Sequence, residues 1–112
     1  MQRRSALLLC LIPKEMKAIF ITYNQAFYEE IAQVLNANGV KGYTEWNEIK
    51  GHGSDQGEPH FGTHAWPTLN NAIISIVEDH QVDGILNQLH EKDEKAPELG
   101  LRAFTWNVEK TI

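Results

Sequence analysis

The sequence predicts an α+β domain in which a four-stranded antiparallel sheet carries two helices on one of its faces. Four segments rich in β-branched and aromatic residues predict the strands, and two segments with apolar residues at helical spacing predict the helices. These six elements follow one another in the order β-α-β-β-α-β. A chain of 112 residues has room for one such domain with a single, modest hydrophobic core.

The first helix is expected between the first two strands. Lys17–Tyr23 has the composition of a buried strand, and Asn24 after it is a residue type that caps helices. Apolar residues recur at helical spacing over Gln25–Asn38, and Gly39 supplies the stop. Val40–Lys50 then alternates as a strand with one polar side.

The second helix repeats this arrangement between the last two strands. Leu69–Glu78 is predicted as a strong strand, and Asp79 as the cap of a helix that runs to about Lys92. A turn over Ala96–Gly100 leads to the last strand, Leu101–Val108. The resulting order is that of a ferredoxin-like sandwich, in which both helices cover the same face of the sheet.

The other face of this sheet is left without a cover. Trp46 and Trp106 are candidates for large apolar side chains on it. An exposed apolar area of this kind usually marks an interface, so we expect self-association with cyclic closure.

The connection between the second and third strands, residues 51–67, is the most informative segment. It is rich in Gly, Pro and His, and it has neither a helical nor a strand period. Adjacent antiparallel strands need only about two residues to join them, and long loops without structure are usually functional or disordered. We therefore expect a loop that responds to a ligand.

Residues 1–15 differ from the rest of the chain. A basic start, Gln2–Arg4, precedes the apolar run Ala6–Ile12, which superficially resembles a secretory signal. The run is short, Pro13 follows it, and no small-residue cleavage site is present. We interpret residues 1–15 as an extension that the fold does not need and residues 16–112 as the domain. A packed or swapped segment and an export signal are the alternatives.

Composition and charge exclude several classes of function. The net charge is −5, which argues against nucleic-acid binding because that needs a basic surface. The single cysteine, Cys10, excludes an internal disulfide, and no apolar stretch approaches the ~20 residues that span a bilayer. No nucleophile elbow, Walker motif or metalloprotease helix is present, so we expect a cytoplasmic protein that is not an enzyme.

A small enzyme of the dimeric α/β-barrel type is an alternative that would require a ligand pocket within the subunit.

Three segments, taken in order, resemble the PII signal-transduction family, and the resemblance extends over residues 16–112. Gly39–Thr44 is similar to the family's G-x-x-G-M-T at the start of its second strand. Glu48–Gly57 resembles E-V-K-G-F-G-R-Q-K-G at the base of the family's long T-loop, and Trp106–Ile112 resembles its closing Y-D-V-E-Q-A-I. Each motif is weak alone, but together they agree with the β-α-β-β-α-β order.

This resemblance implies a homotrimer whose sheets face inward, with nucleotide clefts between the subunits. It also implies that the loop 51–67 docks on a target protein such as a membrane transporter, an enzyme or a nitrogen-metabolism regulator. A small ligand at the clefts, either an adenine nucleotide or a divalent metal, would order this loop. The expected function is therefore regulation without catalysis.

The candidate ligand-binding residues lie at the base of the loop and at the start of the last strand. Glycine-rich backbone can cradle an anion, and a lysine or arginine can contact phosphate across a subunit boundary. The candidates are Lys50, Gly51, His52, Gly53, Gln56, Gly57 and Arg102. A flexible hinge at the glycines and solvated charges at the basic residues are the alternatives.

Departures from the family's pattern limit what the resemblance implies. Ser54 stands where the family has an arginine that helps to hold nucleotide phosphates, and residues 51–67 contain no modifiable tyrosine. Glu91–Gly100 is acidic and poor in glycine where the family has a Gly- and Lys-rich phosphate loop. We therefore expect a divergent member, of the branch linked to transport or efflux of metals or ions, without classical ATP and 2-oxoglutarate sensing.

Histidines in the loop support an alternative function. His52, His60 and His64 fall within residues 51–67 with carboxylates between them, and imidazole with carboxylate suits Zn, Cu or Ni. The alternative is a divalent-metal-binding or metal-tolerance protein of CutA-like architecture. Solvated loop histidines are the competing interpretation.

Overall fold

The computed structural model describes residues 15–51 and 69–112, and these residues follow the predicted β-α-β-β-α-β order. The strands are β1 (Met16–Asn24), β2 (Thr44–Ile49), β3 (Asn70–Glu78) and β4 (Arg102–Asn107), and the helices are α1 (Tyr28–Ala37) and α2 (Asp79–Lys95). Short 3-10 turns over Gln25–Phe27 and Pro97–Leu99 lead into α1 and towards β4. The predicted α+β, ferredoxin-like fold with an antiparallel sheet is confirmed. Within the described ranges, no helix is long and apolar enough to cross a membrane.

The sheet has the order β2-β3-β1-β4, and each neighbouring pair is antiparallel. The central strand is β1, in which Ile21 lies opposite Ile73 of β3 on one side and Ala103 of β4 on the other. The two edges of the sheet are therefore β2 and β4. Strand residues alternate between faces and directly opposed residues share a face, so this register separates a helix-covered face from an open one.

The core lies between the two helices and the face of the sheet that carries Ile19 and Ile21. These two residues and Ile73 are fully buried. The helices contribute buried residues at helical spacing, namely Ile31, Val34 and Leu35 from α1 and Val82, Ile85 and Leu89 from α2. Each such side chain stabilises the fold by roughly 1.5–3 kcal/mol when it is fully buried.

The first helix begins later than predicted. The predicted range Gln25–Asn38 starts with a 3-10 turn, because the Asn24 side chain accepts a hydrogen bond from the Ala26 N–H (2.9 Å). The Gln25 N–H donates to the carbonyl of Leu69 (3.1 Å), which connects this turn to the residue before β3. The predicted cap at Asn24 is therefore confirmed, although it caps the 3-10 turn.

The end of α1 explains why β2 starts later than predicted. Gly39 has φ +77°, and the Val40 N–H bonds back to the Leu35 carbonyl (2.9 Å), which closes the helix as expected. The closure uses the Val40 N–H within the end of α1, and the Gly42 carbonyl accepts the Ser75 hydroxyl instead of a backbone N–H of β3. Consequently β2 begins at Thr44 rather than at Val40.

The predicted cap of α2 is wrong. Glu78, not Asp79, occupies the N-cap, because it forms a capping box with Gln81 in which each side chain accepts the other's backbone N–H. The Gln81 Oε1 accepts the Glu78 N–H at 2.8 Å. Asp79 is instead the first helical residue, where its charge is favourable and where it pairs with Lys17 at 3.5 Å.

The end of α2 also differs from the prediction. The helix continues to Lys95 rather than stopping near Lys92, and both lysines lie in its last turn, where positive charge is favourable. It ends at Ala96 because the residue before a proline, here Pro97, is disfavoured in the helical conformation.

We expect Gly84→Ala to destabilise the protein, although alanine is normally the better helix former. A Cβ at this position of α2 would lie 2.3 Å from the Asn38 Oδ1. The Asn38 side chain cannot move freely, because its Nδ2 donates to the Val34 carbonyl (2.8 Å). Overpacking of this kind costs roughly 1–3 kcal/mol, against a propensity gain of about 1 kcal/mol.

Urea unfolding measures this effect on Gly84→Ala. The matched control is Asn87→Ala, an exposed position of the same helix, which should leave the free energy of unfolding unchanged or slightly raised. A Gly84→Ala protein that is more stable than wild type would contradict the close contact with Asn38.

The face of the sheet that the helices do not cover is apolar. Trp46, Ile76, Phe104 and Trp106 lie on it and are 47, 47, 57 and 48% exposed. The register places Trp106 and Ile76 on either side of Ala18. Both tryptophans therefore lie on the open face, as predicted, and the described residues leave about half of each of these four side chains exposed.

Candidate functional site

The described ends of the long connection meet at one end of the sheet. In sequence order, Asn24 ends β1, Ile49 ends β2, Asn70 begins β3 and Arg102 begins β4. Because neighbouring strands are antiparallel, these four termini lie along the same end. Lys50 follows β2 directly, so two of the predicted ligand-binding residues, Lys50 and Arg102, lie at this end of the sheet.

A β-bulge lies just before this end in β2. Trp46 is opposite Ala72, but Ile49 is opposite Asn70, so β2 has one more residue than β3 between these pairs. Glu48, within the bulge, has φ +59°, a left-handed conformation that costs an L-residue roughly 1–2 kcal/mol. Bulges are over-represented beside functional sites, where they redirect side chains.

Buried asparagines hold this end of the sheet. Asn70 and Asn71 are each 7% exposed. The Asn71 Oδ1 accepts the Glu48 N–H at 3.1 Å. Gly51 passes so close to Asn70 that a Cβ at position 51 would lie 2.6 Å from the Asn70 Nδ2. The base of the connection is therefore fitted to a glycine at position 51.

A short hydrogen bond connects the bulge region to the core. The fully buried Tyr23 donates its hydroxyl proton to the Glu45 Oε2 at 2.5 Å. Burial, and then the bond to Glu45, raise the pKa of Tyr23 above its ordinary value of 10, whereas a hydrogen bond with the Asn71 side chain acts in the opposite direction. Tyr23 therefore stays protonated beyond the pH at which an exposed tyrosine ionises.

We expect the stability of the wild-type protein to fall above pH 10, and to fall less steeply in Tyr23→Phe. The pKa of Tyr23 is raised on folding. Its contribution to the free energy of unfolding is therefore complete below the unfolded pKa near 10 and is lost as the pH rises further. Over that range the unfolded chain releases a proton that the native chain keeps, which costs up to about 1.4 kcal/mol per pH unit.

Urea unfolding at a series of pH values from 8 to 12 tests this expectation. Glu45→Gln is the control: it should keep most of the alkaline loss of stability, because burial is the larger cause of the raised pKa of Tyr23. An equally steep fall of the free energy of unfolding with pH in wild type and Tyr23→Phe would contradict the prediction.

Lys50 and Arg102 are far apart within one chain. They adjoin opposite edge strands, and three strand spacings amount to roughly 14 Å. Arg102 Nη1 donates to the Leu101 carbonyl at 2.7 Å and pairs with Asp93 Oδ1 at 3.5 Å. A depression of about 390 Å³ lies beside this arginine, between α2 and β4. Within one chain, the backbone positions of the two cations are therefore separated by the full width of the sheet.

The acidic segment Glu91–Gly100 is mostly helical. It belongs to α2 as far as Lys95, and a 3-10 turn then ends at Gly100, which has φ +71°. Within that turn the Leu99 and Gly100 N–H groups donate to the carbonyls of Ala96 and Pro97. These two N–H groups are therefore engaged within the turn, which agrees with the absence of a glycine-rich phosphate loop from the sequence.

Most of the predicted loop candidates fall outside the described residues. These are His52, Gly53, Gln56, Gly57, His60 and His64, and the structure says nothing about them. Within residues 15–51 and 69–112, no group of three or more His, Cys, Asp or Glu side chains could hold a metal ion. The metal site on the loop histidines stays a prediction from the sequence.

Sequence reasoning missed the residues that shape the loop base. Tyr23, Glu45 and Glu48 have no sequence signal, because their contacts depend on strand register. The pair Asn70–Asn71 did carry one: two amides at the start of an otherwise apolar strand are expected to bind backbone groups.

The family model of nitrogen regulatory protein P-II matches residues 16–112. Comparison with curated proteins finds no match.

Several solved structures share the fold. CPII from Thiomonas intermedia K12, a nitrogen regulatory PII-like protein bound to ADP, AMP and bicarbonate, superposes with a TM-score of 0.70 at 23% identity, over 84% of this chain and 86% of that chain. A PII-like signalling protein from Thermus thermophilus gives a TM-score of 0.63 at 24% identity, over 85% of this chain and 88% of that chain. The apo form of CPII gives 0.61 at 19% identity, over 84% and 89%.

Proposed function

The chain belongs to the nitrogen regulatory protein P-II family, and we propose that it is a non-enzymatic regulatory protein that works as a homotrimer. The unit of this trimer is residues 16–112, and residues 1–15 are an extension that the fold does not require. Its ligand is an adenine nucleotide bound between subunits, and its output is the binding of a target protein through the loop 51–67.

The open sheet face supports the trimer. Trp46, Ile76, Phe104 and Trp106 are about half exposed in one chain, and a contiguous apolar surface of this kind usually lies in an interface. Three copies with this face turned inward bury it in a closed ring, which leaves no apolar face open for further association.

The separation of Lys50 and Arg102 is the observation that carries the shared nucleotide cleft. Both lie at the same end of the sheet but beside opposite edges. In the proposed ring, the β2 edge of one subunit lies beside the β4 edge of the next, an arrangement that brings Lys50 of one chain to Arg102 of another. Lysine and arginine are the side chains that bind phosphate oxygens most strongly. CPII, with the same fold, has ADP and AMP bound.

The connection to the loop supports a signalling role. Lys50 and Gly51 are the last described residues before the loop, so a phosphate at Lys50 contacts the base from which the loop departs. Ligand binding at such a base can order a loop and create a surface for a partner. We propose a membrane transporter or a nitrogen-metabolism regulator as that partner.

Titration calorimetry of the full chain against ADP, AMP and ATP, each with and without bicarbonate, tests the ligand. We expect ADP to bind with one site per chain. Absence of binding by all three nucleotides under both conditions would refute the nucleotide cleft.

A further inference from the structure

We propose that Asn71 is a positioning residue for the nucleotide cleft, because its side chain fixes the β-bulge that determines which side of the sheet presents Lys50. This inference rests on the proposed function, since it names a residue that prepares the same cleft. Asn71 itself need not touch the nucleotide.

The bulge changes the side on which Lys50 emerges. Ile49 lies opposite Asn70, which lies opposite Asn24, and these residues belong to the set that shares the open face with Phe20. Continued alternation then directs Lys50 to the helix side. Without the extra residue, every position after it would change face, and Lys50 would point to the open face.

The helix side is also where the guanidinium of Arg102 is held. By register Arg102 lies opposite Thr22, in the open-face set, but it is on the edge strand β4 and its guanidinium reaches past that edge to pair with Asp93 of α2, on the helix-covered side. Lys50 and Arg102 can bind the same phosphate group across a subunit boundary only if both reach it from the same side. The bulge therefore places Lys50 on the same side of the sheet as the Arg102 guanidinium.

Asn71 is the group that holds the bulge in place. Glu48 takes a left-handed conformation at φ +59°, and its N–H is accepted by the Asn71 Oδ1 at 3.1 Å. The Asn71 side chain also hydrogen-bonds with the hydroxyl of Tyr23, which is itself bound to Glu45 at 2.5 Å. Bonds at Glu48 and at Tyr23 fix the orientation of the Asn71 amide, so the bulge is anchored to a fully buried core residue.

Asn71→Ala tests the proposal through the affinity for ADP. We expect the dissociation constant for ADP to rise about tenfold or more, as for the loss of one charge-assisted phosphate contact, while the trimer persists. The second variant is Asn71→Ala with Glu48→Gly. Glycine adopts positive φ without cost, so the bulge forms again and the affinity should return to within about threefold of wild type.

A matched control separates positioning from general stability. Ser75 is also buried on β3, on the same face, and its hydroxyl donates to the Gly42 carbonyl at 2.5 Å, away from the bulge. Ser75→Ala should lower stability and leave the ADP affinity unchanged. Should Asn71→Ala fail to fold, Glu48→Val replaces it, since a β-branched residue resists positive φ and disrupts the bulge from the other strand.

Several outcomes would overturn the proposal. Unchanged ADP affinity in Asn71→Ala, an equal loss in Ser75→Ala, or no recovery on adding Glu48→Gly would each contradict positioning by Asn71. Amide hydrogen exchange at residues 48–51 without nucleotide keeps the test independent of the proposed function. If wild type binds no ADP, the proposed function fails. Faster amide exchange at residues 48–51 in Asn71→Ala than in wild type would then still show that Asn71 stabilises the bulge.

Discussion

Replacing Trp106 by glutamate is expected to convert the proposed trimer into single chains. Trp106 is 48% exposed on the open sheet face, and its neighbour across the central strand on that face, Ile76, is 47% exposed. A fully buried aromatic side chain buries about 150–250 Å², and the interface would supply only the exposed half of this for Trp106, a contribution that would be lost. The introduced carboxylate would be buried without a partner, which costs several kcal/mol more. Size-exclusion chromatography with light scattering measures the mass directly.

Two further variants make this result specific to the open face. Trp106→Phe keeps an aromatic side chain and should remain trimeric. Asn87→Glu introduces the same charge on the exposed surface of α2 and should also remain trimeric. A Trp106→Glu protein with the mass of three chains would show that the open face is not the interface.

Loss of either cation is expected to weaken ADP binding strongly. In the proposed cleft, Lys50→Ala and Arg102→Ala each remove one charged donor to phosphate, and a hydrogen bond to a charged group contributes about 1.5–3 kcal/mol. The dissociation constant for ADP should therefore rise by roughly 10- to 150-fold in each variant. Calorimetry on the trimeric variants measures this change.

Asp93→Asn is the matched control for Arg102. The carboxylate of Asp93 pairs with Arg102 at 3.5 Å, so it competes with a phosphate for the guanidinium. Asparagine keeps an Oδ1 that can accept from the guanidinium, so Arg102 stays on the helix side while its charge is no longer shared with a carboxylate. The ADP affinity should therefore be unchanged or higher, in contrast to the loss in Arg102→Ala. A loss of affinity in Asp93→Asn equal to that in Arg102→Ala would instead indicate that the ion pair supports the local fold.

The two central strands and the buried faces of the helices could be predicted, because each depends on residues that are close together in the sequence. β1 and β3 are rich in β-branched and other apolar residues, and the helical spacing of Ile31 and Leu35 gives the buried side of α1 directly. The cap of α2 was missed because Glu78 and Asp79 are both acidic, and only the contact with Gln81 distinguishes them.

The candidate site could be predicted only in part. Lys50 and Arg102 were found from residue type and resemblance, but their separation follows from the order of the strands. The bulge was not predicted because glycine or asparagine usually marks a left-handed position, whereas here Glu48 occupies it. Its stability depends on Asn71, which lies far away in sequence and close in space.

A mixed-trimer experiment tests the shared cleft most directly. Chains with Lys50→Ala and chains with Arg102→Ala are mixed, unfolded together and refolded, and ADP binding is then measured. If each cleft takes Lys50 from one chain and Arg102 from the next, every mixed trimer has one intact cleft. About a quarter of all clefts in a random equal mixture should then bind ADP with wild-type affinity. If the two residues act within one chain, no cleft is intact, and the absence of any wild-type sites in a mixture shown to contain mixed trimers would contradict the shared cleft.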